Sequence, residues 1–141
     1  MPDHRFQRLF TPQEANELIP RLEVLMRELQ LEAQRLRSAV AEMARADRAL
    51  AGSDLGNLME RNPKLREIAN RMAEMAAQIE SFGCVLKDIE QGLVDFPFES
   101  EGEVVFLCWQ YGEPHVLAWH SQESGFANRQ PLRGASKTYL N

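Results

Sequence analysis

The chain has 141 residues, 44% apolar and 26% charged, with a formal net charge of −5, a composition that suits one water-facing domain or an extended unit with a small appendage. No apolar run reaches the roughly 20 residues of a membrane span, and the opening Met1-Pro2-Asp3-His4-Arg5-Phe6 lacks the apolar core of a signal peptide. An acidic chain also makes a poor partner for a phosphate backbone, so membrane and nucleic acid are both disfavoured and the cytoplasm is the expected compartment.

Thr11-Pro12-Gln13-Glu14 marks a helix start, with Thr11 as cap, Pro12 where its missing N–H costs nothing, and Glu14 at the capping-box position. Pro20 cannot donate to the carbonyl four residues back. The expectation is a short helix from Pro12 to about Ile19 and a long one from Pro20 to about Ala51. The long helix carries Leu22, Leu29, Leu36, Met43 and Leu50 at sevenfold spacing, beside a second stripe of Ile19, Met26, Ala33 and Val40. That face is wider than a two-stranded seam requires.

Residues 52–57, with Gly52 and Gly56, read as a connection. Asn62-Pro63 restarts a helix. Leu65, Ile68, Met72, Met75, Ile79, Phe82, Leu86, Ile89 and Leu93 then alternate by three and four, which predicts a second long helix ending near Gly92. Each rod comes to about 45 Å at 1.5 Å per residue, and the two match as an antiparallel hairpin. Their apolar faces are too broad for one another. A homodimer closing through the long helices as a four-helix bundle is therefore expected.

After Gly92 the period changes. Glu103 to Tyr111 and His115 to His120 are rich in β-branched and aromatic residues and are separated by Gly112-Glu113-Pro114, which predicts a small β-hairpin. The flanks 94–99 and 125–132 read as ordered loops, and Ser136 to Asn141 as a flexible tail. The fold expected is mainly α: a helical hairpin over residues 1–92, a β-hairpin module over 93–135 and a tail over 136–141.

Chemistry concentrates in the β module. Seven of the eleven aromatic residues lie between Gly92 and Leu132, with six acids against the single base Arg129. Cys84 and Cys108 are too few for a disulfide framework and too far apart for a paired-cysteine metal knuckle, so free thiols are expected. Asp95, Cys108 and His120 are ligand types of a zinc or ferrous site, with Glu99 or Glu113 as a further carboxylate. Hairpin parity offers a test of that idea. A two-residue turn, Gly112-Glu113, puts Cys108 and His120 on opposite faces, whereas a three-residue turn, Tyr111 to Glu113, puts them on one face. The glycine favours the shorter turn, so a reading without a metal is preferred and the same parity disfavours a Cys–His nucleophile. Asp95 and Arg129 look like an ion pair. Trp109, Glu113, Trp119 and Arg129 are the candidates for a partner or ligand surface, with Trp109 and Trp119 also suited to packing the hairpin onto the helices.

Phe10-Thr-x-x-Glu-Ala-Asn-x-Leu18, Gly92-Leu-Val-Asp-Phe-Pro97, Val105-Phe-Leu-Cys-Trp109, Trp119-His120 and Gly125-Phe126-x-x-Arg129-x-Pro131-Leu132 together resemble the uncharacterised prokaryotic family named domain of unknown function 2203, over roughly Arg8 to Leu132. The resemblance implies a small cytoplasmic prokaryotic protein and carries over no catalytic residue. The expected function is that of a non-enzymatic assembly or interaction protein with an unidentified protein partner at its acidic, aromatic module. The alternative is a small-ligand or divalent-metal-binding protein, or an enzyme, with its site in that module.

Overall fold

The computed structural model describes residues 6–132. The expected tail over 136–141 lies outside the described residues. Helix α1 spans Pro12–Ala46, α2 Leu55–Arg61 and α3 Pro63–Ser81. Five strands follow: β1 Val85–Asp88, β2 Leu93–Ser100, β3 Glu103–Gln110, β4 Ala118–His120 and β5 Gln130–Pro131. They form one antiparallel sheet in chain order.

Helix α1 begins as the cap chemistry requires. The Thr11 hydroxyl accepts from the Glu14 backbone N–H at 3.1 Å, and the Glu14 carboxylate accepts from the Thr11 N–H at 2.8 Å. It then continues uninterrupted past Pro20, where two helices were expected. Pro20 is exposed, so the carbonyl it leaves unpaired is on the water side of the helix, where solvent can satisfy it. The helix stops at Ala46, because Asp47 turns extended and caps a short 3-10 turn, Arg48–Leu50, instead. The expected connection over 52–57 is partly helical: the Asp54 side chain accepts from the Asn57 N–H at 2.8 Å, and α2 buries Leu58.

The second rod is shorter than its periodicity implies. Helix α3 begins on the Asn62 cap and Pro63 as expected but ends at Ser81. Gly83 takes φ +99° just beyond the Phe82 cap, the left-handed conformation that closes a helix. Leu86, Ile89 and Leu93 continue the apolar rhythm by coincidence; they belong to a strand, a turn and a strand. At 1.5 Å per residue α1 is about 52 Å long and α3 about 28 Å, so the hairpin is unequal. Arg71 reaches Glu32 and Asn62 reaches Met43, which places α3 along the C-terminal half of α1.

The N-terminal half of α1 packs on the sheet. Ala15, Ile19, Leu22, Met26 and Leu29 share one core with Val94, Phe96, Leu107, Trp109 and Val116. This is the main correction to the expected architecture. An open five-stranded sheet replaces the small β-hairpin, and it covers the N-terminal half of α1. Two signals conceal the sheet. Pro97 inside β2 reads against a strand, yet its carbonyl accepts from Phe10 N–H at 2.7 Å. The β2–β3 turn is Glu101-Gly102, both at positive φ (52° and 82°), a two-residue hairpin geometry usually written with Asn or Asp before the glycine.

Gly92 sits at the entry to β2 at φ +71°, and a Cβ built there would lie 2.5 Å from Tyr111 Cβ. Gly92→Ala is expected to destabilise the chain by about 2–4 kcal/mol, the left-handed penalty plus the displacement of Tyr111. A urea unfolding curve measures this.

Candidate metal centre

Strand alternation assigns the two faces of the sheet. Val94, Phe96 and Phe98 on β2, with Val105, Leu107 and Trp109 on β3, point to the helices. Leu93, Asp95 and Pro97, with Phe106 and Cys108, point the other way. Asp95 pairs directly with Cys108, Cys108 with Ala118, and Phe106 with His120. Cys108 and His120 thus share a face. The expected two-residue turn is absent: residues 111–117 connect β3 to β4, and this odd count restores the parity that a two-residue turn would break.

Asp95, Cys108 and His120 therefore converge from three adjacent strands, 1%, 0% and 4% exposed. Their potential ligand atoms all lie within 4.8 Å of one another. Such burial on the face away from the helices needs cover from elsewhere. Phe6 stacks edge-on against Phe106 at 5.4 Å, and Phe106 lies 5.5 Å from the His120 ring. Arg129 interacts with Cys108.

The imidazole is oriented at both ends. His120 Nδ1 lies 2.8 Å from the Ser121 carbonyl oxygen and Nε2 lies 2.9 Å from Asp95 Oδ2. A carbonyl only accepts, so Nδ1 carries a proton and donates it. The Nε2–Oδ2 contact then holds one further proton, on nitrogen or on oxygen. The Ser121 carbonyl is itself held by a reciprocal turn: Ser121 N–H donates to Ser124 Oγ at 3.2 Å and Ser124 N–H to Ser121 Oγ at 3.1 Å. Ser121 and Ser124 escaped the sequence reading, although their spacing directly after His120 is a turn signal.

Burial raises the Asp95 carboxyl above the ordinary carboxylate range, against the pull of His120 and of Lys87 on β1. Burial likewise pushes Cys108 up to about 12, with the neighbouring Asp95 adding to the rise. Cys84, whose thiol donates to the Ile79 carbonyl at 3.2 Å, is also pushed up to about 12 by burial. Both thiols therefore stay protonated near neutral pH. Iodoacetamide is expected to leave both cysteines unmodified in the folded, chelator-treated protein and to label both in urea, as read by mass spectrometry.

Other candidates fall elsewhere. Arg129 pairs with Glu113 instead of Asp95, through two parallel bonds of 3.1 and 2.9 Å. Their side chains are 28% and 16% exposed, so Glu113, expected in a two-residue turn, is largely buried. The reason is the longer connection, in which Glu113 folds back to accept the Gln110 N–H at 2.8 Å. Glu99 is exposed near the far end of β2. Trp109 is fully buried among the helices, its indole N–H donating to the Glu113 carbonyl at 2.9 Å. Trp119 is half-buried and packs on the same core.

The geometry disfavours one chemistry. Both His120 nitrogens are engaged, one by Ser121 and one by Asp95, so neither is left to activate Cys108 as a nucleophile. What remains is a donor set of one nitrogen, one oxygen and one sulfur.

A family model described as "Uncharacterized conserved protein (DUF2203)" matches residues 8–132. No curated protein and no solved structure matches the chain. The matched span contains all three convergent residues together with Glu113 and Arg129, and the chain belongs to that family.

Proposed function

We propose that this member of the DUF2203 family is a divalent-metal-binding protein whose centre is Asp95, Cys108 and His120. The observation that carries the reading is the convergence of these three buried donors within 4.8 Å, with the imidazole held by a backbone carbonyl. A neutral histidine that donates Nδ1–H to a carbonyl turns its Nε2 lone pair toward the other two donors, which is how metal-ligating histidines are oriented. An ion takes the place of the proton shared with Asp95. Charge supports this too: a divalent ion balanced by one carboxylate and one thiolate leaves a neutral site, which burial requires. Ligand atoms of a tetrahedral zinc stand about 3.3–3.8 Å apart, so small side-chain adjustments suffice. The mixed nitrogen, oxygen and sulfur set favours zinc, cobalt or ferrous iron over magnesium or calcium. Three protein ligands leave one position for water or a small ligand.

Titration of chelator-treated protein with Co²⁺, followed by the absorption bands of a thiolate-bound ion, tests the reading. About one equivalent is expected, with the bands lost in Cys108→Ser. Metal content below about a tenth of an equivalent after loading and desalting would refute it.

A second reading, assembly as a homodimer through the long helices, is favoured by Val24 and Leu31, seven residues apart on α1 and 45% and 49% exposed. A stable monomer by light scattering at micromolar concentration ends it.

A further inference from the structure

We propose that the Glu113–Arg129 ion pair is the latch of the Asp95–Cys108–His120 centre, and that an ion enters or leaves only when the loop over residues 121–129 swings Arg129 away from Cys108. The inference rests on the metal reading above. The three ligands are almost wholly buried, whereas Arg129, which borders Cys108, is 28% exposed on its side chain. A partly exposed side chain thus lies directly beside a buried ligand. Glu113 acts as a fixed post, since its carboxylate also accepts the Gln110 N–H and its backbone carbonyl holds Trp109. The moving part is the loop. Arg129 stacks over the Phe126 ring at 4.5 Å, so ring and guanidinium travel together. The anchor beyond them is a strand of two residues, β5, and the 3-10 turn Phe126–Asn128 has no side-chain cap. The same loop begins at Ser121, whose carbonyl orients His120, so opening it loosens a ligand as it uncovers the site.

The latch predicts kinetics more than affinity. Co²⁺-loaded protein mixed with excess EDTA in a stopped-flow instrument reports release, and metal-free protein mixed with Co²⁺ reports uptake. Glu113→Gln, which keeps the shape of the post and weakens its charge-assisted fork, is expected to speed both by about tenfold, with the equilibrium constant within about threefold of the parent. Phe126→Leu, which leaves the fork intact and removes the stacking, is expected to speed both by a smaller factor. Unchanged rates in both variants overturn the latch. So does a fall in affinity at an unchanged uptake rate, which assigns the pair to ligand support alone. A parent protein that takes up no Co²⁺ refutes the metal reading itself, a result distinct from a parent that binds and variants that release no faster.

Discussion

Asp95→Asn is expected to keep the chain folded while lowering its affinity for Co²⁺ by about a hundredfold or more. The asparagine amide occupies the same volume and donates from Nδ2 to His120 Nε2, so the buried contact survives without a shared proton. What disappears is the negative charge that a divalent ion needs in a site closed to water. Asp95→Ala is a different experiment, because it leaves Nε2 facing a void and is expected to cost about 3–5 kcal/mol of stability. Circular dichroism melts and Co²⁺ titrations on both variants separate ligand loss from unfolding. Parent-like Co²⁺ affinity in Asp95→Asn would remove the carboxylate from the centre. The metal-free parent should also show a pH signature. Because burial raises the Asp95 carboxyl, the native state holds its proton more tightly than the unfolded chain does. The stability from that proton is full below the ordinary carboxylate range and is lost as pH rises through the raised value. Asparagine removes this contribution, so the decline over that window should flatten.

Trp109→Ala is expected to lower stability by about 3–5 kcal/mol, the cost of deleting a large ring from a closed core, and to lower the melting temperature by roughly 10–20 °C. Trp109 stands near the C-terminal end of β3 on its helix-facing side, fully buried with Leu22, Met26 and Leu29 in one cluster. Its indole N–H also ties down the Glu113 carbonyl. Trp109→Phe separates the two roles: it keeps most of the apolar contact and is expected to cost about 1–2 kcal/mol for the lost bond and the smaller ring. A loss below about 1 kcal/mol in Trp109→Ala, measured by guanidinium unfolding, would show that the ring is not part of the core.

Local rules served the reading of this chain well wherever one residue decides one bond. The Thr11 and Glu14 capping box and the Asn62-Pro63 start are such cases. They failed where tertiary structure chooses between two local fits. The three-four rhythm from Leu65 to Leu93 is helical only as far as Ser81, because nothing in an apolar count distinguishes a helix face from a strand buried on both sides. The left-handed Gly83 closes the helix, whereas the apolar rhythm carried the expected end on to Gly92. Asp95, Cys108 and His120 were visible as ligand types. Their convergence was hidden because strand pairing depends on the length of a loop, and the glycine at Gly112 suggested a shorter one. The Arg129 partner was misassigned for the same reason: Glu113 belongs to that misread loop.

The Glu101-Gly102 turn has a further implication. Its two residues align β2 with β3, and every donor facing away from the helices inherits that alignment. Inserting one extra amino acid there would send the Asp95 carboxylate among the leucines of the first helix, while Cys108 stayed where it was. A bound ion would thus act as a proofreader of sheet assembly, since a chain that had slipped by a single step would have no third hand with which to hold it.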